Sequence, residues 1–315
     1  MTIREGGKMS IDLSGRVAII TGAGGGLGRE HALLLANRGA KILVNDLGGA
    51  SDGTGGSISA AQKVVSEINA LGGDAIANGA SVTDYAEVEA MVSDTVARWG
   101  RVDILVNNAG ILRDRTFAKM NLADFRAVVE VHLMGAVNCT KAVWDLMRAQ
   151  RYGRVIMTTS SSGLYGNFGQ SNYGAAKMAL VGLMQTLGLE GEKYNIRVNC
   201  LAPTAATRMV EGVLPQAMLD VLTPHRVSPA VLTLAAENAP NRKIICAGAG
   251  SFEHANITLT PGLFIGDGND AAERLQARSD ELSNREGEIV PTSASVQGQV
   301  ELAKAGFDAG AAVEA

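Results

Sequence analysis

The chain has 315 residues, 46% hydrophobic and 19% charged, a balance that suits a soluble protein with a sizeable core in one large domain or two ordinary ones. A net charge of −4 supplies no global basic field for nucleic acid, so an anionic ligand must be held by local groups. Met1 to Ser10 lacks the apolar core of a secretory signal, and no apolar run reaches the roughly 18 residues that a membrane span needs.

Met9 offers a second plausible start, so residues 1–8 are expected to be an extension. Arg16 to Thr21 is a β-branched run ending in glycines and predicts a buried strand, followed by a helix over Leu27 to Arg38 closed by Gly39. Lys41 to Asn45 is a second strand, and Gly48 to Ser57 a loop rich in Gly, Ser and Asp that either flanks a ligand or simply turns. Helical periodicity over Ile58 to Leu71, a weak strand at Asp74 to Asn78, a helix over Asp84 to Trp99 and a strand at Val102 to Asn107 follow. Leu122 to Gln150 reads as a helix broken once, Arg154 to Ser160 as a strand, Tyr173 to Tyr194 as a long helix and Arg197 to Leu201 as a strand. A helix near Ser228 to Glu237 and a strand near Lys243 to Ala247 complete an alternating pattern. Such alternation predicts an α/β fold with a doubly wound parallel sheet, ligands sitting at the carboxyl ends of the strands. Residues 9–250 form that expected domain. Residues 251–315, with helix candidates at Asp270 to Asn284 and Gln297 to Ala305, are expected to be a C-terminal extension packed on the domain or on a partner subunit.

The glycine run from Gly22 to Gly28 lies between the first strand and first helix, where backbone amides and the helix N-terminus can approach a pyrophosphate. Asp46 ends the second strand, where a carboxylate binds adenine-ribose hydroxyls and repels a 2′-phosphate. With no arginine directly after it, the expected cofactor is NAD rather than NADP. Asn107-Asn108-Ala109-Gly110 has two readings, joining strands and touching the ligand. Pro203 to Thr207 follows the sixth strand and could present Thr207 to a nicotinamide amide, or be an ordinary turn.

Tyr173 and Lys177 are four residues apart, on one face of a helix, where a cation beside a phenol favours the phenolate. A tyrosine so tuned can take a proton from an alcohol. Ser160 lies thirteen residues upstream at the end of an apolar strand. The three cysteines, Cys139, Cys200 and Cys246, match no metal pattern and suggest reduced thiols in the cytoplasm. His31, His225 and His254 have no metal-binding spacing, so no metal site is expected. The last residues, Val313-Glu314-Ala315, carry no peroxisomal or retention address.

Together, the TGxxxGxG loop, the NNAG segment and Ser160, Tyr173 and Lys177 resemble the short-chain dehydrogenase/reductase family over roughly Leu13 to Gly250. The stretches Asn45 to Gly49, Gly110 to Arg115, Val131 to Leu133 and Tyr165 to Gln170 are similar to the dehydrogenase unit of peroxisomal multifunctional enzymes of type 2; the chain ends before any hydratase or sterol-carrier unit. The resemblance implies a Rossmann fold and NAD-dependent oxidation of a (3R)-3-hydroxyacyl-CoA, with a 17β-hydroxysteroid or other bulky alcohol as the alternative. A catalytically silent NAD-binding sensor is the alternative of another class. Tyr173 would be the general base, Lys177 would hold the nicotinamide ribose and depress the tyrosine's pKa, and Ser160 would hydrogen-bond the substrate oxygen. His132 stands where many family members have Asn, and is either a proton relay or a histidine satisfied by helix backbone. The implied cofactor residues are Gly22, Gly26, Leu27, Gly28, Asp46, Ser81, Val82, Asn108, Ala109, Gly110, Tyr173, Lys177, Pro203 and Thr207. Arg113 and Arg115 are candidates for a CoA phosphate, set against salt bridges with Asp114 or a neighbouring subunit. Leu164, Phe168, Met209 and Val213 lie in segments that could line an apolar substrate pocket. A homodimer, or a tetramer, built on the long helices is expected, with no nucleic-acid or membrane partner.

Overall fold

A computed structural model describes residues 10–50, 52–206 and 215–307. Seven strands alternate with helices in the first compact unit, which runs to His254. They are β1 (Val17–Thr21), β2 (Lys41–Asn45), β3 (Ala75–Asn78), β4 (Ile104–Asn107), β5 (Gly153–Thr158), β6 (Ile196–Thr204) and β7 (Ile244–Gly248). With β8 (Ser251–Ala255) they form one sheet of order β3-β2-β1-β4-β5-β6-β7-β8. Neighbours from β3 through β7 pair in parallel, with Ile20 opposite both Val44 and Val106. Val17–Thr21 is buried at every position, as a central strand covered on both faces must be. The order reverses between β1 and β4, which opens a crevice at the carboxyl ends of these strands. β8 was not expected; it returns from β7 across Ala249 and Gly250, both at positive φ (52° and 85°), the geometry of a two-residue hairpin turn.

Between the strands lie α1 (Gly26–Asn37), α2 (Ser59–Ala70), α3 (Tyr85–Trp99), α4 (Leu122–Val129), α5 (Gly135–Gln150), α6 (Ser161–Tyr165), α7 (Ser171–Gly191), α8 (Gln216–Val221) and α9 (Ser228–Ala235). The start of α3 is set by Asp84, whose carboxylate accepts from Glu87 N, and its end by Gly100 in the left-handed conformation. One face of the sheet packs on α1, α2 and α9 through Ala32, Leu35, Val64, Ile68, Val231 and Leu234, all buried. The break expected between Leu122 and Gln150 is a π-helical turn, Glu130–Met134, carrying His132. Such turns insert an extra residue and redirect one side chain, and they gather at functional sites.

Ala255 to Ala315 form a second compact unit. Its described part holds α10 (Ala271–Ala277), α11 (Ser279–Leu282) and α12 (Ala294–Lys304), with an antiparallel bridge between Leu259 and Ile289. Local ion pairs, Arg278 with Glu281 and Arg285 with Glu288, brace it. No helix among the described residues is long and apolar enough to cross a membrane.

Candidate active site

The crevice above β1 and β4 is a cavity of about 370 Å³. One wall is the loop into α1. Gly25 caps that helix without any side-chain hydrogen bond, and the first turn carries no acidic residue. The first amides of α1 and its positive dipole end are therefore left for an anion. Gly22 adopts φ +63°, and a Cβ on Gly28 would come within 2.4 Å of the Gly22 carbonyl, so both positions require glycine. Gly22, Gly26 and Leu27 line the cavity, while Gly28 supports the loop from behind. Asp46 faces the same space, its carboxylate accepting from Gly24 N at 2.7 Å and from Gly48 N at 2.6 Å. An uncapped helix end beside a positioned carboxylate fits the pyrophosphate and ribose of a dinucleotide.

Ser81, Val82, Asn108, Ala109, Gly110 and Pro203 also line the cavity, as expected. Asn108 does more than touch it. Its amide donates to the Thr21 and Gly22 carbonyls, both at 3.0 Å, while Thr21 Oγ1 accepts from Asn108 N and Ala109 N. That clamp joins β4 to β1, the first of the two readings of the NNAG segment. Thr207, Met209 and Val213 lie outside the described residues. Leu47, Gly49, Ala50 and Gly53 form a wall from the β2–α2 loop that the motifs did not assign to the site. Only its glycine content hinted at it. Ile111 and Thr158 had no sequence signal at all.

At the far end stand the chemical residues. Contrary to expectation, Ser160 is not in a strand: β5 stops at Thr158, and Ser160 is the N-cap of the short helix α6, accepting from Ser162 N at 3.2 Å. Thr159 follows the strand, its amide donating to the Leu201 carbonyl of β6 at 2.7 Å and its hydroxyl to the Lys177 carbonyl of α7. Ser160 is buried beside the Tyr173 phenol, close enough to lower its pKa. Tyr173 and Lys177 share one face of α7, with the ammonium 5.5 Å from the ring centroid. Lys177 Nζ donates to the Thr158 carbonyl at 2.5 Å.

The electrostatics correct the simplest expectation. Burial pushes the Tyr173 phenol above its ordinary value, and Asp114 acts in the same direction; only the hydrogen bond with Ser160 lowers it. Lys177, itself fully enclosed, is driven down from 10.5 to about 7 by burial. A cation desolvated that far is half neutral near pH 7 and is no standing source of phenolate. His132 is buried beside them, its ring edge-on to Tyr173 with centroids 5.1 Å apart. Its Nε2 lies 2.8 Å from the Ile111 carbonyl and 3.1 Å from Ile111 N, and its Nδ1 is buried without a protein partner. Burial, then the Lys177 charge, hold it well below 6.5 against the Ile111 bond, so it is a neutral ring at physiological pH. Gly110 makes room for it: a Cβ there would lie 2.2 Å from His132 Cε1.

The segment Gly110 to Arg115 ties the site together. Asn172, buried in the first turn of α7, donates to the Arg113 carbonyl and accepts from Tyr173 N. Gln170 donates to Asp114 at 2.7 Å. Arg113 pairs with Asp124 at 2.9 Å rather than with Asp114, and Arg115 donates to the Asp114 carbonyl. Phe168, expected near an apolar pocket, is 89% exposed, and Leu164 is half-buried outside the cavity lining. Among the described residues no group of acidic, His or Cys side chains could hold a metal.

An open sheet with an uncapped, glycine-rich helix start at its switch point, and a serine, tyrosine and lysine at the same end, defines the site of a dinucleotide-fold oxidoreductase. The short chain dehydrogenase family model matches residues 16–217, and the chain belongs to that family, whose members are oxidoreductases acting on CH–OH groups and use NAD or NADP. It is 47% identical over 273 residues to a short-chain type dehydrogenase/reductase of Mycobacterium tuberculosis, covering 86% of this chain and 95% of that one. It is also 47% identical over 279 residues to peroxisomal multifunctional enzyme type 2 of Drosophila melanogaster. There it covers 88% of this chain but only 46% of that enzyme, so it spans about half of that relative. The solved full-length structure of the fly enzyme superposes with a TM-score of 0.77 at 35% identity, over 94% of this chain and 50% of that chain. A 7α-hydroxysteroid dehydrogenase complexed with NADH and 7-oxo glycochenodeoxycholic acid superposes with a TM-score of 0.68 at 31% identity, over 76% and 95% of the two chains.

Proposed function

We propose that the protein is an NAD-dependent dehydrogenase of secondary alcohols, with (3R)-3-hydroxyacyl-CoA as its best substrate and 3-ketoacyl-CoA as product. The observation that carries the chemistry is Ser160 set beside the Tyr173 phenol, one helical turn from a buried lysine at the end of a nucleotide cleft. Asp46 supports NAD, because its carboxylate would sit opposite the ribose hydroxyls and repel a 2′-phosphate. The acyl-CoA class rests on the similarity to multifunctional enzymes of type 2 and on the stretches shared with them.

When bound, NAD would supply the hydride acceptor for the carbinol carbon. Tyr173 Oη takes the hydroxyl proton during oxidation and returns it in reduction. Ser160 Oγ, held by the α6 cap, donates to the substrate oxygen as charge develops there. Lys177 Nζ, held by the Thr158 carbonyl in the cavity lining, would hold the nicotinamide ribose. His132 keeps the Tyr173 ring in place and, being neutral, acts by packing and hydrogen bonding rather than by titrating. Three unpaired cysteines suit the cytoplasm, and the exposed Leu122, Met134, Met178 and Leu189 on the α4–α5 and α7 surfaces suit a homodimer.

The second reading, a steroid or other bulky alcohol, is favoured by the likeness to the hydroxysteroid dehydrogenase. The deciding experiment is NAD reduction with (3R)- and (3S)-3-hydroxyacyl-CoA and with steroid alcohols, in wild type and Tyr173→Phe. The expected result is (3R)-selective turnover that disappears in Tyr173→Phe while NAD still binds. Turnover with NADP alone, or full activity in Tyr173→Phe, would overturn it.

A further inference from the structure

The β2–α2 wall of the cleft, residues 47–57, is rich in glycine: Gly48, Gly49, Gly53, Gly55 and Gly56. Ser57 N donates to the Leu47 carbonyl at 2.8 Å and closes its base, while Ala50 N to Thr54 O, also 2.8 Å, closes its upper turn. Asp52 Oδ1 accepts from Thr54 N and Oγ1 within the wall itself. A Cβ on Gly48 would lie 1.8 Å from the Ser57 carbonyl, so this narrow fold depends on glycine. Glycines lose the most chain entropy on ordering, so a wall made of them needs an external tether to stay against a ligand.

Among the described residues, one side chain from outside hydrogen-bonds to the upper turn. Arg113 Nε donates to the Asp52 carbonyl at 3.1 Å, while Arg113 Nη1 is held by Asp124 of α4 at 2.9 Å. The next residue on the wall, Gly53, packs against Ile111. A guanidinium is suited to this task, since its planar fork can serve a carboxylate with one edge and a carbonyl with another. Arg113 is therefore spoken for twice, and is not a free cation for a CoA phosphate.

We infer that Arg113 is a latch, keyed by Asp124, that holds the glycine-rich wall against the adenosine half of the dinucleotide and so sets how long that half stays bound. The inference rests on the NAD reading, because Asp46 at the foot of the wall is what marks this half as adenosine. It makes Arg113 a positioning residue that acts through the wall and touches no reacting atom.

The test is binding rather than turnover. Affinities of wild type, Arg113→Ala, Arg113→Lys and Asp124→Asn for NAD, AMP and nicotinamide mononucleotide would be measured by calorimetry, with hydrogen exchange followed across residues 47–57. Losing one charge-assisted hydrogen bond at a half-exposed site should weaken NAD and AMP about three- to tenfold in Arg113→Ala. Nicotinamide mononucleotide should be unaffected, and the wall should exchange faster with NAD bound. Arg113→Lys and Asp124→Asn should fall between, and they carry the test if the alanine variant does not fold. Unchanged AMP affinity, or unchanged exchange in the wall, would overturn the latch and leave Arg113 a simple surface brace. Wild-type protein binding neither NAD nor AMP would instead remove the reading on which it rests.

Discussion

Replacing Lys177 with methionine should make the ligand-free protein more stable while destroying its activity. The ammonium is fully enclosed, and burial alone drives it from 10.5 to about 7. Three to four units correspond to about 4–5 kcal/mol of cost below pH 7, where both folded and unfolded chains bind the proton. Its hydrogen bond to the Thr158 carbonyl returns about 1.5–3 kcal/mol, and methionine fills the same space without a charge. Lys177→Met should therefore gain about 2 kcal/mol at pH 7. The pH dependence is the sharper signature. Between pH 7 and the unfolded value of 10.5 the unfolded chain holds a proton that the native lysine has lost, so stability must rise with pH. From pH 7 to 8.5 the rise should be about 1.5 kcal/mol in wild type and absent in Lys177→Met. Cys139 and Cys200, whose thiols burial raises to about 12, oppose the rise equally in both proteins, so the difference between the two slopes carries the test. Urea unfolding at three pH values would measure it. Equal slopes in the two proteins would refute the claim that Lys177 is desolvated at a cost.

Gly110→Ala should collapse the site without touching a catalytic group, because the new methyl would meet the His132 ring backed by Ile111. About 2–3 kcal/mol of stability should be lost to overpacking, seen as a lower melting temperature and lower kcat together; a silent variant would refute the packing. Arg154→Met should be worse. That guanidinium is fully buried and donates to the carbonyls of Gly153, Asn195, Ala236 and Glu237 with no carboxylate partner, so its removal strands several acceptors and should cost about 3 kcal/mol or more in urea unfolding. Asp46→Ser should weaken NAD and narrow its advantage over NADP by about tenfold or more, read as the ratio of the two kcat/KM values; an unchanged ratio would place the discrimination elsewhere.

Much of this protein is readable from its residues in order. Runs such as Val17–Thr21 and Ile104–Asn107 are apolar and β-branched because strands of a parallel sheet are covered on both faces, and that continuous burial leaves an unmistakable pattern. The glycines from Gly22 to Gly28, Asp46 and the Tyr173–Lys177 spacing are likewise local devices, each legible because its chemistry constrains residue type at a fixed separation. The π-turn was only half legible: a break in the long helix could be expected, but its form depends on His132 docking beneath Gly110.

What the tertiary structure decided is the state of those groups. Side by side in sequence, Tyr173 and Lys177 suggest a cation that lowers a phenol's pKa; enclosed together, both are pushed toward neutrality, because desolvation depends on what other segments cover them. Ser160 belongs to a helix cap and not to a strand, its side chain accepting from Ser162 N, while Thr159 before it donates to a carbonyl of α7. Arg113, which by sequence alone is a candidate for a CoA phosphate, is committed to Asp124 and the Asp52 carbonyl, partners 11 and 61 residues away. Spacing along the chain records which residues can meet through local geometry, whereas burial and long-range pairing arise only when distant segments exclude water from one another.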